Sequence, residues 1–365
     1  MEVIALIQGD EMSNLTPLFL VHAISGLALP FLHLESLSDD DRPVYGITNP
    51  IHCPGGHGFK PPSSLKDVAA FYLDGIRGIQ PEGPYLLGGW SMGGMIAMFM
   101  AQMLEAQGEE VHKVIMIDSV NPEVFPEFES AEEHGEFVKA TFERTISAGG
   151  LQSDDEGDGD GGGDDDFPVS SAVDDTHDAG DYVATRSRRS SLCNSPSSSG
   201  TWSARSSAAS IFDANSPFMS PRSPRSPLSD DYLTDDTDCS CDSDCDEPPG
   251  MEVFLQNIKT HIHRGLDLVS SVKPGDLFTP GTKSDFDAIL VKCTTRPVDV
   301  ERKYKEHAGA QLIETVMREQ NMRWNPLQFR SFQSIPFSGD HDSAFQPQFV
   351  GELSAILREC IEDVE

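Results

Sequence analysis

Long apolar runs are missing from this chain. No segment approaches the roughly 18 residues that an ordinary membrane span needs, which excludes that class. Basic residues are scarce as well: 26 Lys and Arg stand against 60 Asp and Glu, for a formal charge of −34 at pH 7. Such a balance excludes nucleic acid as a partner and is repelled by anionic membrane surfaces. Cysteine is sparse and odd in number, at 7. Irregularly spaced, these cysteines read as free thiols in a reducing compartment, and a cytoplasmic location is expected. The opening MEVIALIQGDEMSN carries no basic stretch and only a short apolar run, unlike a signal peptide.

The charge is uneven. Between Leu151 and Gly250, 22 acidic residues face 6 basic ones, so about half of the net charge lies in that stretch. Its aspartate, glycine, serine and proline runs offer too little apolar surface to offset the entropy of ordering, and residues 149–249 read as a disordered acidic, Ser-Pro-rich insertion. Ser195, Ser216, Ser220, Ser223 and Ser226 each precede proline, and Arg186, Arg188 and Arg189 precede Ser190 and Ser191, a pattern open to phosphorylation. Cys239, Cys241 and Cys245 lack the C-x2-C knuckle of structural zinc sites, and no metal or cofactor is expected.

Outside the insertion, short apolar runs alternate with amphipathic ones, the mark of an α/β architecture. Strands are expected over Val3–Gln8, Pro17–Val21, Arg42–Ile47, Tyr85–Leu87, Val111–Ile117, Ala288–Thr294 and Phe329–Phe337. Helices are expected over Leu27–Leu37, from Ser64 to Ile79, and over Met95–Ala106, Glu127–Ala148, Met251–Val272, Val300–Glu319 and Pro347–Val364. Ser64 and Asp67 form a capping-box pattern. His52, Cys53 and His57 surround a glycine-rich loop and find no third and fourth ligand at a familiar spacing.

The organising stretch is Pro84–Gly94, PYLLGGWSMGG. A buried strand, a G-x-S-x-G turn and a helix follow one another, the arrangement of a nucleophile elbow. The turn pushes the Ser91 hydroxyl out of the sheet's end, and glycine at Gly89 and Gly93 lets strand and helix approach closely. Asp118 follows the strand Val111–Ile117 at its carboxyl end, where orienting groups gather in open α/β sheets. His341 lies in a turn between the last strand and the closing helix. Serine, then acid, then histidine is the order of α/β hydrolases. In that fold the loop after the second strand and the residue after the nucleophile supply the oxyanion donors, here the amides of Ile24 and Met92. His22, at the end of the second strand, reads as a structural histidine.

PLFLVHAISG, GPYLLGGWSMGG, VIMIDS and SGDHDSAF together resemble the thioesterase domains of polyketide synthases and nonribosomal peptide synthetases, in the free-standing form of fungal secondary-metabolite clusters. The resemblance covers Val3 to about Ala148 and Met251 to the end. It implies a single α/β-hydrolase domain over 1–365, with a mostly parallel sheet, helices on both faces and a lid insertion over 121–278. It also implies an acyl chain taken as a thioester from an acyl carrier protein, or from a polyketide synthase or peptide synthetase in trans, and released through an acyl-serine intermediate by hydrolysis or cyclisation. An acyltransferase or carboxylester hydrolase with the same triad is the enzymatic alternative, and a phosphoregulated, non-catalytic scaffold is the other.

Overall fold

The computed structural model describes residues 2–149, 249–279, 281–295 and 307–364. The expected phosphorylation and cysteine clusters, and the start of the helix expected from Val300, lie outside these residues.

Among the described residues, apolar runs too short for helices build seven strands. They are β1 (Ile4–Gln8), β2 (Leu18–Val21), β3 (Val44–Ile47), β4 (Tyr85–Trp90), β5 (Val111–Ile117), β6 (Asp287–Cys293) and β7 (Ser331–Phe337). They lie in one sheet in the order β1-β3-β2-β4-β5-β6-β7. Only β1 runs antiparallel, against β3; the other pairs are parallel. The described residues also form six α-helices, in chain order α1 (Leu65–Arg77), α2 (Met92–Ala106), α3 (Ala131–Ala148), α4 (Pro249–Ser270), α5 (Ala308–Arg318) and α6 (Val350–Ile361).

The period-2 alternation of the strands divides the core between the two faces of the sheet. In β2, Phe19 and Val21 point toward α1 and α2, packing with Tyr72, Ile76, Ile96 and Met100. Leu18 and Leu20 point the other way and pack with Leu353 and Leu357 of α6. Because α2 is enclosed by its neighbours, its sequence is apolar on nearly every side and eleven of its residues are buried. Lys113 of β5 reaches across to Asp363 and to the Cys360 carbonyl at the end of α6. A third apolar cluster joins α3 to α4 through Phe137, Val138, Ile146, Ile258, Ile262 and Leu266.

Local signals explain most boundaries. Ser64 caps α1 by accepting from the Asp67 amide at 3.1 Å, while the Asp67 carboxylate takes Ser63 Oγ at 2.7 Å instead of completing a reciprocal box. Ser130 caps α3 in the same way through Glu133 N, so that helix starts later than Glu127. The expected helix Leu27–Leu37 is instead a short 3-10 turn, Leu29–His33. Its first turn holds Pro30 and has no side-chain cap, and Leu29 and Leu32 are exposed, so nothing rewards further turns.

The strand order fixes where a site can form. From β2 the chain goes to β3 on one side, and then to β4 on the other side of β2. This is the topological switch point of the sheet. The carboxyl ends of β2 and β4 therefore flank a crevice, the position where open α/β sheets bind ligands.

Candidate active site

The turn from β4 into α2 is tight and strained. Ser91 has φ 56° and ψ −122°, a conformation that few residues with a side chain adopt. Strain of this kind is on the order of 1–3 kcal/mol and persists only where the surroundings enforce it. They do so here by close approach. A Cβ on Gly89 would sit 2.3 Å from the carbonyl carbon of Gly93, and one on Gly93 would sit 2.1 Å from Val21 O. Both glycines of the motif are therefore required by the meeting of strand, helix and the neighbouring β2.

Asp118 ends β5 with φ 45°, a second strained residue at a strand's carboxyl end. It is 2% exposed. Its Oδ1 accepts from the Cys293 amide at 3.0 Å and its Oδ2 pairs with His341 Nδ1 at 2.7 Å. The loop after it is braced by the Met322–Trp324 turn: Asn121 N donates to Met322 O at 3.0 Å and Trp324 Nε1 to Ser119 O at 2.8 Å. Burial opposes charging of the His341 ring, but the hydrogen bond and charge of Asp118, with Asp342 nearby, outweigh it and raise its pKa above the ordinary value. His341 also lies against Trp90, the residue before Ser91, with ring centroids 5.9 Å apart. Trp90 in turn packs on Phe345 at 4.9 Å. The structure thus brings the turn carrying Ser91, Asp118 and His341 together at the carboxyl end of the sheet.

Met92 is the first residue of α2, so its amide has no acceptor a turn earlier within the helix. Ile24 lies in the turn after β2. The two are neighbours: a Cβ on Gly265 of α4 would meet Ile24 Cγ1 at 2.9 Å and Met92 Sδ at 3.1 Å. No sequence pattern marks α4 as the cover of this corner. His261, one turn earlier on α4, pairs its Nδ1 with Ile24 O at 2.8 Å and so anchors the Ile24 turn from above. A cavity of about 30 Å³ opens beside Met92, with Leu65, Leu268, His261 and Gly265 in its walls.

His22 is fully buried and occupied on both nitrogens, by Ala23 O at 2.7 Å and by Tyr72 Oη at 2.5 Å. Burial and then the nearby His261 hold its pKa well below the ordinary value. His52 contacts Ser25 O at 3.0 Å. His307 pairs with Glu136 at 2.9 Å, not with Asp118.

A mostly parallel sheet with a strained serine turn at its switch point, and a carboxylate–histidine pair at the ends of the next strands, defines an α/β hydrolase. Comparison narrows the class. A family model described as the thioesterase domain matches residues 16–145. The chain is 33% identical over 380 residues to the thioesterase pytI of Aspergillus terreus, with 100% of both chains covered. It is 30% identical over 367 residues to the thioesterase pynI of Aspergillus niger, with 99% of both covered. The non-reducing polyketide synthase stmB of Aspergillus ustus is 40% identical over 125 residues, 34% of this chain and 6% of that protein. Among solved structures, the NocB thioesterase domain in covalent complex with a fluorophosphonate nocardicin G analogue has a TM-score of 0.52 at 15% identity. That match covers 98% of this chain and 99% of NocB, and it supports the fold. The chain belongs to the thioesterase family, and it is a hydrolase acting on thioesters.

Proposed function

We propose that this thioesterase releases an acyl chain of polyketide or peptidyl type from the phosphopantetheine thioester of a carrier protein supplied in trans. The observation that carries the proposal is the 2.7 Å pair of Asp118 and His341 beside the strained Ser91 turn. The full-length likeness to two fungal thioesterases, and the partial likeness to a polyketide synthase, supply the substrate class.

In this reading Ser91 Oγ attacks the thioester carbonyl. With Nδ1 committed to Asp118, His341 takes the serine proton on Nε2 and gives it to the departing sulfur as the C–S bond breaks. Asp118, fixed by the Cys293 amide, holds the ring's tautomer and stabilises the imidazolium. The amides of Ile24 and Met92 bind the tetrahedral oxyanion, an effect on the order of 3 kcal/mol per donor. Water, or a hydroxyl or amine of the substrate, then attacks the acyl-serine with the same histidine as base.

A cavity of about 30 Å³ admits little more than water, whereas acyl-sized ligands need several hundred Å³. The proposal therefore assigns entry to movement of α3 and α4, the described helices of the expected lid region. Steady-state kinetics test the class. Thioesters should turn over faster than matched oxygen esters, and adding a nucleophilic acceptor should change the product only if transfer or cyclisation is the native outcome. Faster turnover of the oxygen ester would assign the chain to ordinary ester hydrolysis instead.

A further inference from the structure

Away from Ser91, α3 and α4 bring three potential metal ligands together. His134 comes from the first turns of α3; His263 and Asp267 lie one turn apart on α4. Their ligand atoms all lie within 4.8 Å of one another. Asp267 turns one carboxylate oxygen toward each ring: His134 Nε2 is 3.5 Å from Oδ1 and His263 Nδ1 is 3.4 Å from Oδ2.

These separations are too long for good N–H···O hydrogen bonds, whose usual range is about 2.7–3.2 Å. Each is close to the ligand-to-ligand edge of a tetrahedral metal site, with the two rings facing different oxygens of the carboxylate. Ligand atoms about 2.1 Å from a tetrahedral zinc lie roughly 3.4 Å from each other. An octahedral hard cation at about the same distance would draw them to roughly 3.0 Å. His134 supplies an independent sign: its side chain is 12% exposed, and the Nε2 that faces the carboxylate is buried with no hydrogen-bond partner. A buried polar atom of this kind destabilises a fold unless something satisfies it. The His134 ring is held edge-on to His263, with centroids 4.5 Å apart, and against Phe128 at 4.6 Å.

We propose that His134, His263 and Asp267 bind a divalent zinc ion that clips α3 to α4, with the fourth position left to water. Two imidazoles and a carboxylate suit zinc over magnesium or calcium, which take oxygen ligands. In sequence the clip joins the helix before residues 150–248 to the helix after them. On α4 the ligands lie within one turn of His261 and Gly265, which touch Ile24 and Met92. The proposal does not depend on the assignment of Ser91 as nucleophile.

The test uses the full-length protein, stripped of metal and then titrated with zinc and, as a spectroscopic probe, with cobalt(II). We expect one equivalent of zinc retained after dialysis, a zinc-dependent rise in melting temperature, and a tetrahedral cobalt spectrum without thiolate-to-cobalt charge transfer. His263→Ala, at an exposed position, and Asp267→Asn, at a half-buried one, should fold normally, melt in chelator at the wild-type temperature, and lose both the equivalent and the rise. Replacing Cys239, Cys241 and Cys245 with serine should leave both intact. Zinc that binds equally well to His263→Ala and Asp267→Asn, or that is lost with the three cysteines, would overturn the proposal, as would a wild-type chain that retains none.

Discussion

The carboxyl edge of the sheet and the α3–α4 pair place functional side chains by different means. At the sheet edge, Ser91 and Asp118 each sit one step beyond a strand whose register is fixed by paired neighbours. Ser91 N donates to Ile117 O at 2.8 Å, and Asp118 N to Val291 O at 2.8 Å. The strain at both residues is enforced by backbone, not by side chains that can rotate. Above it, α4 is held by an apolar cluster, by the His261–Ile24 hydrogen bond and by His134 and His263 facing Asp267 at 3.5 and 3.4 Å. Under the proposed function, chemistry that tolerates little displacement is assigned to the first region, and contacts that give way to an acyl chain to the second.

The largest expected effect breaks the sheet edge directly. Ser91→Ala and His341→Ala should each lower kcat by about 10⁶-fold while the melting temperature stays near wild type. Near-normal turnover in His341→Ala would remove it as the base. Asp118→Asn comes next, with a loss on the order of 10⁴-fold in the related triad chemistry. It also carries a signed pH signature. The base must be neutral, and Asp118 is what lifts His341 above its ordinary pKa against the opposing effect of burial. Without the carboxylate, burial prevails, so the acidic limb of kcat/KM should move to lower pH. A limb that stays in place or moves upward would point to another carboxylate.

Gly93→Ala separates fold from chemistry. Its Cβ would lie 2.1 Å from Val21 O and 2.5 Å from His22 O, both backbone atoms that cannot swing aside. We expect destabilisation of about 3 kcal/mol or more in chemical denaturation, with activity lost alongside; a wild-type midpoint would show that the turn can relax. Tyr72→Phe should act in the opposite sense, leaving kcat within a few-fold while weakening stability by about 1–2 kcal/mol. It leaves buried His22 without its 2.5 Å partner and removes a contact to Asn49. A collapse of kcat in that variant would give His22 a role in the reaction. The smallest effect belongs to the exposed Glu314–Arg318 pair of α5, where Arg318→Ala should change stability by about 0.5 kcal/mol or less.

What the sequence made legible follows the same division. Strand periods, glycines at fixed offsets from Ser91, and an acid and a histidine just past strand ends are local patterns, so the sheet and the expected triad positions could be read from them. Cys293, whose backbone amide holds Asp118, has no signature because any residue offers an amide. The path of α4 was hidden for a related reason. Its helical period marks an apolar face but not the corner that face covers, and His261 meets Ile24 across 237 positions. His134 lies equally far in sequence from His263 and Asp267 in practical terms, so no ligand spacing announced the trio. Where the helix expected at Leu27–Leu37 shortened to Leu29–His33, one-sided apolar spacing was present without a cap or a partner surface for its outer leucines.

The most direct measurement is intact-protein mass spectrometry after incubation with acyl thioesters of graded chain length, first free and then loaded on a carrier protein, followed by peptide mapping. The account predicts a covalent acyl adduct on the peptide containing Ser91, absent in Ser91→Ala and longer-lived in His341→Ala if any forms there. Acyl release with no adduct at Ser91, undiminished in Ser91→Ala, would contradict it.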